Sequence, residues 1–130
     1  KLKPIMYVPK QHEEPALAVL YSLIKAHPLG AWVIQSEGEL VVNHIPLLRD
    51  ATRGKHGTLV GHVARANPAW KSFSSSSNPI VKFQGAESYI TPSWCPSKHT
   101  HGRVVPTWNY AVVHAHGVPR AIDDQDWLLD

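Results

Sequence analysis

The stretch VPTWNYAVVHAHG (residues 105–117) carries the clearest strand pattern in this sequence of 130 residues. Successive side chains of a strand point to opposite faces of a sheet, so alternation along the chain separates two faces. Here it puts Trp108, His114 and His116 on one face. We predict a long strand over residues 107–118, and the rest of the fold is built outward from it.

Shorter strand patterns precede this segment, and helices lie at the margins. We predict a hairpin from residues 31–35 and 40–45, then strands at residues 58–63, 79–84 and 88–91. Residues 92–106 form a loop bounded by prolines. The predicted helices begin at Pro15, after the N-cap Asn67 and after Asp123 or Asp124. Because strands follow one another without alternating helices, we expect a mainly β fold with flanking helices, an antiparallel Greek-key barrel, closed or partly open.

Length and composition fit one domain spanning residues 1–130, with 43% apolar and 18% charged residues. The net charge of +3 permits nucleic acid or phosphate partners, and the single cysteine excludes an internal disulfide. No apolar run is long enough to cross a membrane and no signal peptide is visible, so we expect a cytoplasmic protein. We also expect residues 1–5 to be an extension before a natural start at Met6. The domain should continue past Asp130, which lies within a predicted helix.

The pair His114 and His116 allows three interpretations. The two could form half of a zinc site with Cys95, His99 or His101, or part of a nucleotide-transferase histidine triad, or they pack with ordinary hydrogen bonds. A zinc site needs a third ligand nearby, and the loop candidates lack a recognised spacing. A triad needs a third alternating histidine, but position 118 is valine. Packing is the favoured interpretation, and metal binding stays an alternative.

The segment GHVARANP (residues 61–68) suggests a phosphate site. A strand delivers His62, Arg65 follows at the turn, and a helix then begins with Asn67 as its N-cap. Backbone N–H groups at a helix start attract phosphate, and arginine offers it a planar pair of donors. A surface turn with a solvated arginine explains the spacing equally well.

The four residues TWNY (107–110) bring a hydroxyl, an indole, a carboxamide and a phenol to consecutive positions. Flat heterocycles with hydrogen-bonding edges bind to such mixtures of aromatic and polar groups. Core aromatics with polar neighbours at a sheet edge would give the same composition. Both interpretations stay open on the residues alone.

Six segments stand in a fixed order along the chain: MYVP (6–9), NHIPL (43–47), GTLVGHVARANPAW (57–70), FQG (83–85), YITPSW (89–94) and VPTWNYAVVH (105–114). Together they resemble the PaiB family, described as FMN-binding negative transcriptional regulators. The resemblance covers the chain from Met6 onward. It implies the FMN-binding split barrel, a fold also used by pyridoxamine phosphate oxidases. It also implies a homodimer with its flavin sites at the subunit interface.

The resemblance further implies which side chains contact FMN, in three groups. Those that would face the isoalloxazine edge are Asn43 and His44. Those that would surround the phosphate or the ribityl chain are His62, Ala64, Arg65 and Asn67. Those that would line the site, in part from the neighbouring subunit, are Thr107, Trp108, Asn109 and Tyr110, with Lys98 as a further candidate. No catalytic residue and no metal ligand is assigned.

The function implied by the resemblance is an FMN-binding negative regulator of transcription that acts as a dimer. Two other functions stay open: a flavin-dependent oxidoreductase of the pyridoxamine phosphate oxidase type, and a haem- or metal-binding split-barrel protein. No residue set specifies a substrate, which favours a regulator over an enzyme. DNA is compatible as a partner, but no helix pair suited to reading DNA is visible.

Overall fold

The computed structural model describes residues 6–73 and 78–129, and only the backbone of Lys98, His99, His101, Leu128 and Leu129. The expected extension at residues 1–5 and the serine segment 74–77 lie outside the described residues. The helices are α1 (Leu17–Ala26), α2 (Pro96–His101) and α3 (Gln125–Leu129). The strands are β1 (Leu29–Ser36), β2 (Glu39–Pro46), β3 (Leu48–Asp50), β4 (Thr58–Val60), β5 (Ile80–Ile90) and β6 (Thr107–His116). Short 3₁₀ helices lie at Lys10–His12, Pro68–Ser72 and Pro92–Trp94.

Two antiparallel sheets form the body of the described chain. Four strands pair in the order β2-β1-β5-β6, and β3 pairs with β4 in a separate sheet. The predicted fold class, mainly antiparallel β with flanking helices, is confirmed. The ladder of hydrogen bonds does not close into one continuous barrel within residues 6–73 and 78–129.

The predicted hairpin is confirmed as β1 and β2, which pair from Leu29 with Pro46 to Ser36 with Glu39. Its turn consists of Glu37 and Gly38, both with positive φ, at 50° and 83°. Positive φ at both central residues is the turn geometry that matches the right-handed twist of a hairpin. Gly38 adopts it without the steric cost that a side chain brings.

Five predictions about the remaining elements were wrong in detail. The strand predicted over residues 107–118 ends at His116, because its partner β5 begins at Ile80, which pairs with His116. The predicted strands 79–84 and 88–91 are one strand, β5, whose register shifts between Gln84 and Glu87. An extra residue bulges there and bends the strand without ending it. The strand predicted over residues 58–63 ends at Val60, because its partner β3, which was not predicted, has only three residues.

The predicted loop 92–106 contains a 3₁₀ helix and α2, which begin at Pro92 and Pro96. Proline is favoured at the first position of a helix, so these prolines start helices rather than exclude them. The helix predicted from Pro15 begins at Leu17. No helix in the described part of the chain combines the length and apolar character needed to cross a membrane.

The core consists of two neighbouring clusters. The first contains Phe83, which is 0% exposed, with buried residues from α1, β6 and the β2–β3 junction: Ile24, Val113 and Leu47. The second contains Trp32, Ile34 and Ala69. Both clusters lie on the face of the four-stranded sheet that α1 and the 3₁₀ helix Pro68–Ser72 cover. A cleft opens beside these two clusters.

Candidate functional site

A cleft of about 1020 Å³ opens between α1, the β3–β4 hairpin and the segment that follows β6. Its floor is made of core side chains, among them the buried Trp32, Leu47 and Val113. A volume of this size lies at the upper end of the roughly 300–1,000 Å³ typical of ligand sites, which are also mostly apolar. The cleft is therefore large enough for an extended flat ligand.

Arg65 lies on the edge of this cleft and already holds an oxyanion. Its Nη1 and Nη2 atoms donate to Asp123 Oδ2 and Oδ1 at 2.9 and 2.7 Å. Both side chains are exposed, at 73% and 69%. The hydrogen bonds lower the pKa of the Asp123 carboxyl and raise that of the Arg65 guanidinium. This parallel pair of bonds is the geometry in which arginine binds carboxylate or phosphate.

The loop that carries Arg65 is anchored by Asn67. Its Oδ1 atom accepts from the Ala69 backbone N–H at 3.0 Å, which confirms the predicted N-cap, and its Nδ2 donates to Asn43 Oδ1 at 2.9 Å. The Trp70 indole donates to the Arg65 carbonyl at 3.2 Å. The Asn43 Nδ2 atom is buried without an acceptor among the described residues. This asparagine therefore keeps a donor available for a carbonyl group.

The structure brings only part of the predicted set together. His62 and Arg65 line the cleft, Asn43 and Asn67 lie behind it as a bonded pair, and Ala64 is exposed next to Arg65. His44 is exposed on β2 and does not line the cleft. The side chain of Lys98 lies outside the described part of the structure.

The predicted residues 107–110 lie apart from the cleft within one chain. Trp108 and Tyr110, 56% and 66% exposed, line a shallower depression on the other side of the sheet, and Thr107 and Asn109 are also exposed. The reason is that β1 pairs with β5 only at residues 80–82. Beyond that point β5 and β6 continue as a two-stranded ribbon, on which Trp108 packs edge-on against Tyr89 with ring centroids 6.0 Å apart.

Sequence reasoning missed the cleft residues of the β3–β4 hairpin. Arg49, Arg53 and His56 line the cleft together with Tyr21 of α1. The polar composition of residues 50–57 predicts only a loop. The pairing of β3 with β4 directs this loop toward α1, but it left no periodic pattern in the sequence. Two arginines and a histidine within eight residues were the available clue.

The histidine pair of β6 also lines the cleft. The pKa of His114 is lowered because burial disfavours the imidazolium, and the charges of His116 and Lys82 act in the same direction. In the described residues, no three side chains among His, Cys, Asp and Glu are grouped so that they could hold a metal ion.

These residues fit FMN. The apolar floor suits a flat ring system, and the Asp123 carboxylate shows that Arg65 can hold an oxyanion at the cleft edge. The cleft and its edge thus match two chemical parts of a flavin nucleotide, an apolar ring and a phosphate.

The chain is similar to proteins from fungi and bacteria. It is 34% identical to "Uncharacterized protein YKL070W" of Saccharomyces cerevisiae, over 96% of this chain and 85% of the yeast protein. It is 32% identical to "Uncharacterized protein AN0679" of Emericella nidulans, over 92% of this chain and 58% of that protein. It is 31% identical to "Protease synthase and sporulation protein PAI 2" of Bacillus subtilis, over 86% of this chain. The match spans 51% of the Bacillus protein, about half its length.

The family described as "Putative FMN-binding domain" matches residues 6–130, nearly the whole chain. The family match and the Bacillus relative agree with the resemblance to PaiB inferred from the six segments. The protein therefore belongs to this PaiB-like FMN-binding family, and FMN is its cofactor.

Proposed function

We propose that this protein is a negative regulator of transcription that acts as a homodimer and binds FMN in the cleft beside Arg65. The observation that carries the proposal is the paired bond from Arg65 to an oxyanion at the edge of a mostly apolar cleft. With FMN bound, Arg65 would release the Asp123 carboxylate and hold the phosphate. Both groups are exposed, so this exchange requires no rearrangement of the core.

The bound flavin supplies redox chemistry, while the protein binds and orients it. Arg65 holds the phosphate, and His62 lies beside it on the same loop. Trp32 and Leu47 provide the apolar floor that excludes water from one side of the ring. Behind the cleft, Asn67 bonds to Asn43 and caps the 3₁₀ helix at Ala69, and it would hold the Arg65 loop in position.

The dimer in this proposal is built on the ribbon of β5 and β6. Trp108, Tyr110 and Tyr89 are exposed on it, at 56%, 66% and 48%. Aromatic side chains are enriched at protein interfaces, and clustered exposed apolar groups mark them. Placed over the cleft of a second subunit, the ribbon brings Thr107 and Asn109 to the neighbour's flavin. In this arrangement residues 107–110 would belong to the site of the neighbouring subunit.

The regulatory part of the proposal is supported by the resemblance to PaiB. The Bacillus relative bears the name "Protease synthase and sporulation protein PAI 2". We propose that FMN occupancy or its redox state changes the dimer surface, and that the dimer lowers expression of its target genes. Direct binding to DNA and an indirect route both satisfy the proposal.

Comparing FMN with riboflavin, which lacks the phosphate, tests the site. We expect Arg65→Gln to weaken FMN binding about tenfold, because a charge-assisted pair of hydrogen bonds is lost, and to leave riboflavin binding unchanged. Asp123→Asn removes the competing carboxylate and should strengthen FMN binding. Lys25→Gln, an exposed charge on α1 outside the cleft, is the matched control. Equal losses for FMN and riboflavin in the Arg65 variant would contradict the phosphate contact.

Two measurements test the dimer and the regulatory role. Light scattering should give twice the mass of the 14.4 kDa chain, and Trp108→Ala with Tyr110→Ala should shift it toward the monomer. If the dimer acts directly on DNA, its binding to promoter DNA should exceed its binding to random DNA at matched salt, because the salt-dependent contacts to phosphate are the same for both sequences. A monomeric wild-type protein would refute the dimer. If deleting the gene for this protein changes no transcript level in the cell, the regulatory role is refuted.

A further inference from the structure

The β3–β4 end of the cleft carries a group of cations that the proposed FMN contacts do not use. Arg49, Arg53 and His56 belong to the β3–β4 hairpin and all line the cleft. His56 precedes β4 and His62 follows it, so this group and the Arg65 loop lie at opposite ends of that strand. We call these three residues the hairpin cations.

No unpaired carboxylate in the described part of the cleft lining balances the positive charge of the hairpin cations. Among the described residues that line the cleft, Asp123 is the one carboxylate, and Arg65 already binds it. Asp50, at the end of β3, is outside the lining set and accepts hydrogen bonds from the Thr52 N–H and hydroxyl. It feels the charge of Arg53 but forms no ion pair with it in the described structure. An anion entering the cleft therefore meets half-buried guanidinium groups without a competing acid.

Arg49 is held in place with its outer nitrogen atoms available. Its guanidinium carbon lies 3.4 Å from the centroid of the Tyr21 ring, and its Nε donates to the His56 carbonyl at 2.8 Å. Gly57, with a φ of +87°, allows this approach, because a methyl group there would lie 2.7 Å from Arg49 Nε. The two terminal nitrogens make no hydrogen bond among the described residues. A stacked arginine with free terminal donors is preorganised to bind a carboxylate or a phosphate.

The other two hairpin cations also line the cleft. The side chain of Arg53 is half-buried and has no hydrogen bond among the described residues. The His56 Nδ1 atom lies 3.4 Å from the Tyr21 hydroxyl, a long contact that places the exposed ring beside α1. The cleft of about 1020 Å³ is at the upper end of the range for ligand sites, and the length of β4 separates the hairpin cations from the Arg65 loop.

We propose that the hairpin cations form a second anion-binding subsite, which takes a small organic molecule with a carboxylate or phosphate group beside the flavin. Arg49 and Arg53 bind the anionic group, and His56 provides a third donor. The set of residues that line the cleft supports the subsite. The subsite adds a second ligand to the proposed FMN-binding function. Its ligand is an effector that the protein senses or a molecule that reacts with the flavin.

The experiment is a titration of FMN-loaded protein with two probes, inorganic phosphate and succinate, at constant ionic strength by calorimetry. We expect saturable binding of at least one probe to the wild type. Arg53→Gln should weaken it about tenfold, since one charge-assisted contact is lost. Arg53→Lys keeps the charge without the planar donor pair and should give an intermediate loss. Lys55→Gln removes one exposed charge from the same loop, outside the cleft, and should change binding by less than about twofold.

Each variant is also titrated with FMN and riboflavin, so failure of this proposal and failure of the FMN site are separable. The stronger of the two probes identifies the anionic group that the subsite prefers. Wild-type protein that binds neither probe saturably overturns the proposal. So does a Lys55→Gln loss equal to that of Arg53→Gln, which would indicate unspecific charge. Weaker binding of FMN but not riboflavin in the Arg53 variant would show that these cations hold the flavin phosphate, and would also overturn it.

Discussion

Gly61 connects β4 to the Arg65 loop, and adding a single methyl group there tests the geometry of the whole site. In Gly61→Ala the new methyl group would lie 2.6 Å from Leu47 Cδ2 and 2.9 Å from the Pro46 carbonyl oxygen. Carbon atoms attract one another best at about 3.5–4.0 Å, so both contacts are too close. The Leu47 side chain can rotate away, but the Pro46 oxygen belongs to the backbone of β2. The loop must therefore move.

Overpacking of this kind costs about 1–3 kcal/mol, from which the gain of about 0.4–1 kcal/mol for replacing glycine in the unfolded chain is subtracted. We expect a net loss of about 1–2 kcal/mol and a melting temperature lower by about 3–10 °C for a domain of this size. Because the loop moves with Gly61, FMN binding should weaken as well. Thermal unfolding followed by circular dichroism, together with FMN titration, measures both effects.

The matched control is Gly117→Ala at the other side of the cleft. A methyl group there meets no atom within 4 Å, so this substitution should leave the melting temperature unchanged or raise it slightly. A Gly61→Ala protein that melts with the wild type and binds FMN equally well would refute the close approach of Gly61 to Pro46. Equal losses in both variants would show that the effect does not come from this contact.

Three further substitutions test the core, the loop anchor and the buried imidazole. Phe83→Ala should lower the free energy of unfolding by about 3–5 kcal/mol in urea titrations, because Phe83 is 0% exposed and its removal leaves a cavity. Asn67→Ala should cost about 1–3 kcal/mol, since the cap on Ala69 and the bond to Asn43 are both lost. The pKa of His114 lies below its usual 6.5, so the unfolded chain binds the proton first as the pH falls. The wild type should therefore lose stability on acidification through pH 6.5, and His114→Gln should reduce that loss.

Each of these three expectations has a result that would contradict it. A Phe83→Ala protein as stable as the wild type would remove Phe83 from the centre of the core. If the losses in Asn67→Ala and Asn43→Ala add in the double variant, the two amides are not coupled. An unchanged pH dependence in His114→Gln would assign the acid sensitivity to another histidine.

The strands and their faces were predictable from the sequence because burial leaves a periodic pattern. Alternation in residues 105–117 predicted β6, and the structure places Val113 inside and Trp108 outside. Gly38 marked the hairpin turn, because glycine adopts positive φ without steric cost. Asn67 followed by proline predicted the capped start of a helix. Each of these signals involves residues within a few positions of one another, where local chemistry is decisive.

For the site, the sequence predicted which segments contribute residues but not which residues contact one another. The six-segment resemblance named Arg65, Asn67 and Asn43. It did not name Asp123, the partner of Arg65, and it did not indicate that Asn67 bonds to Asn43, because these partners are 58 and 24 residues distant in the chain. Nothing in the spacing indicated that Asp123 would meet Arg65, because such contacts arise from the path of the chain after β6. The hairpin cations were missed for the same reason.

The sequence by itself determined the class of fold, the strand faces and the family, since these depend on patterns of residue type and order. Only the tertiary structure decided which of the named residues share a cleft, because a strand pairing such as β3 with β4 brings distant charges together without a local signal. It also separated residues 107–110 from Arg65 within one chain, since β1 covers only the first part of β5 and leaves the ribbon exposed.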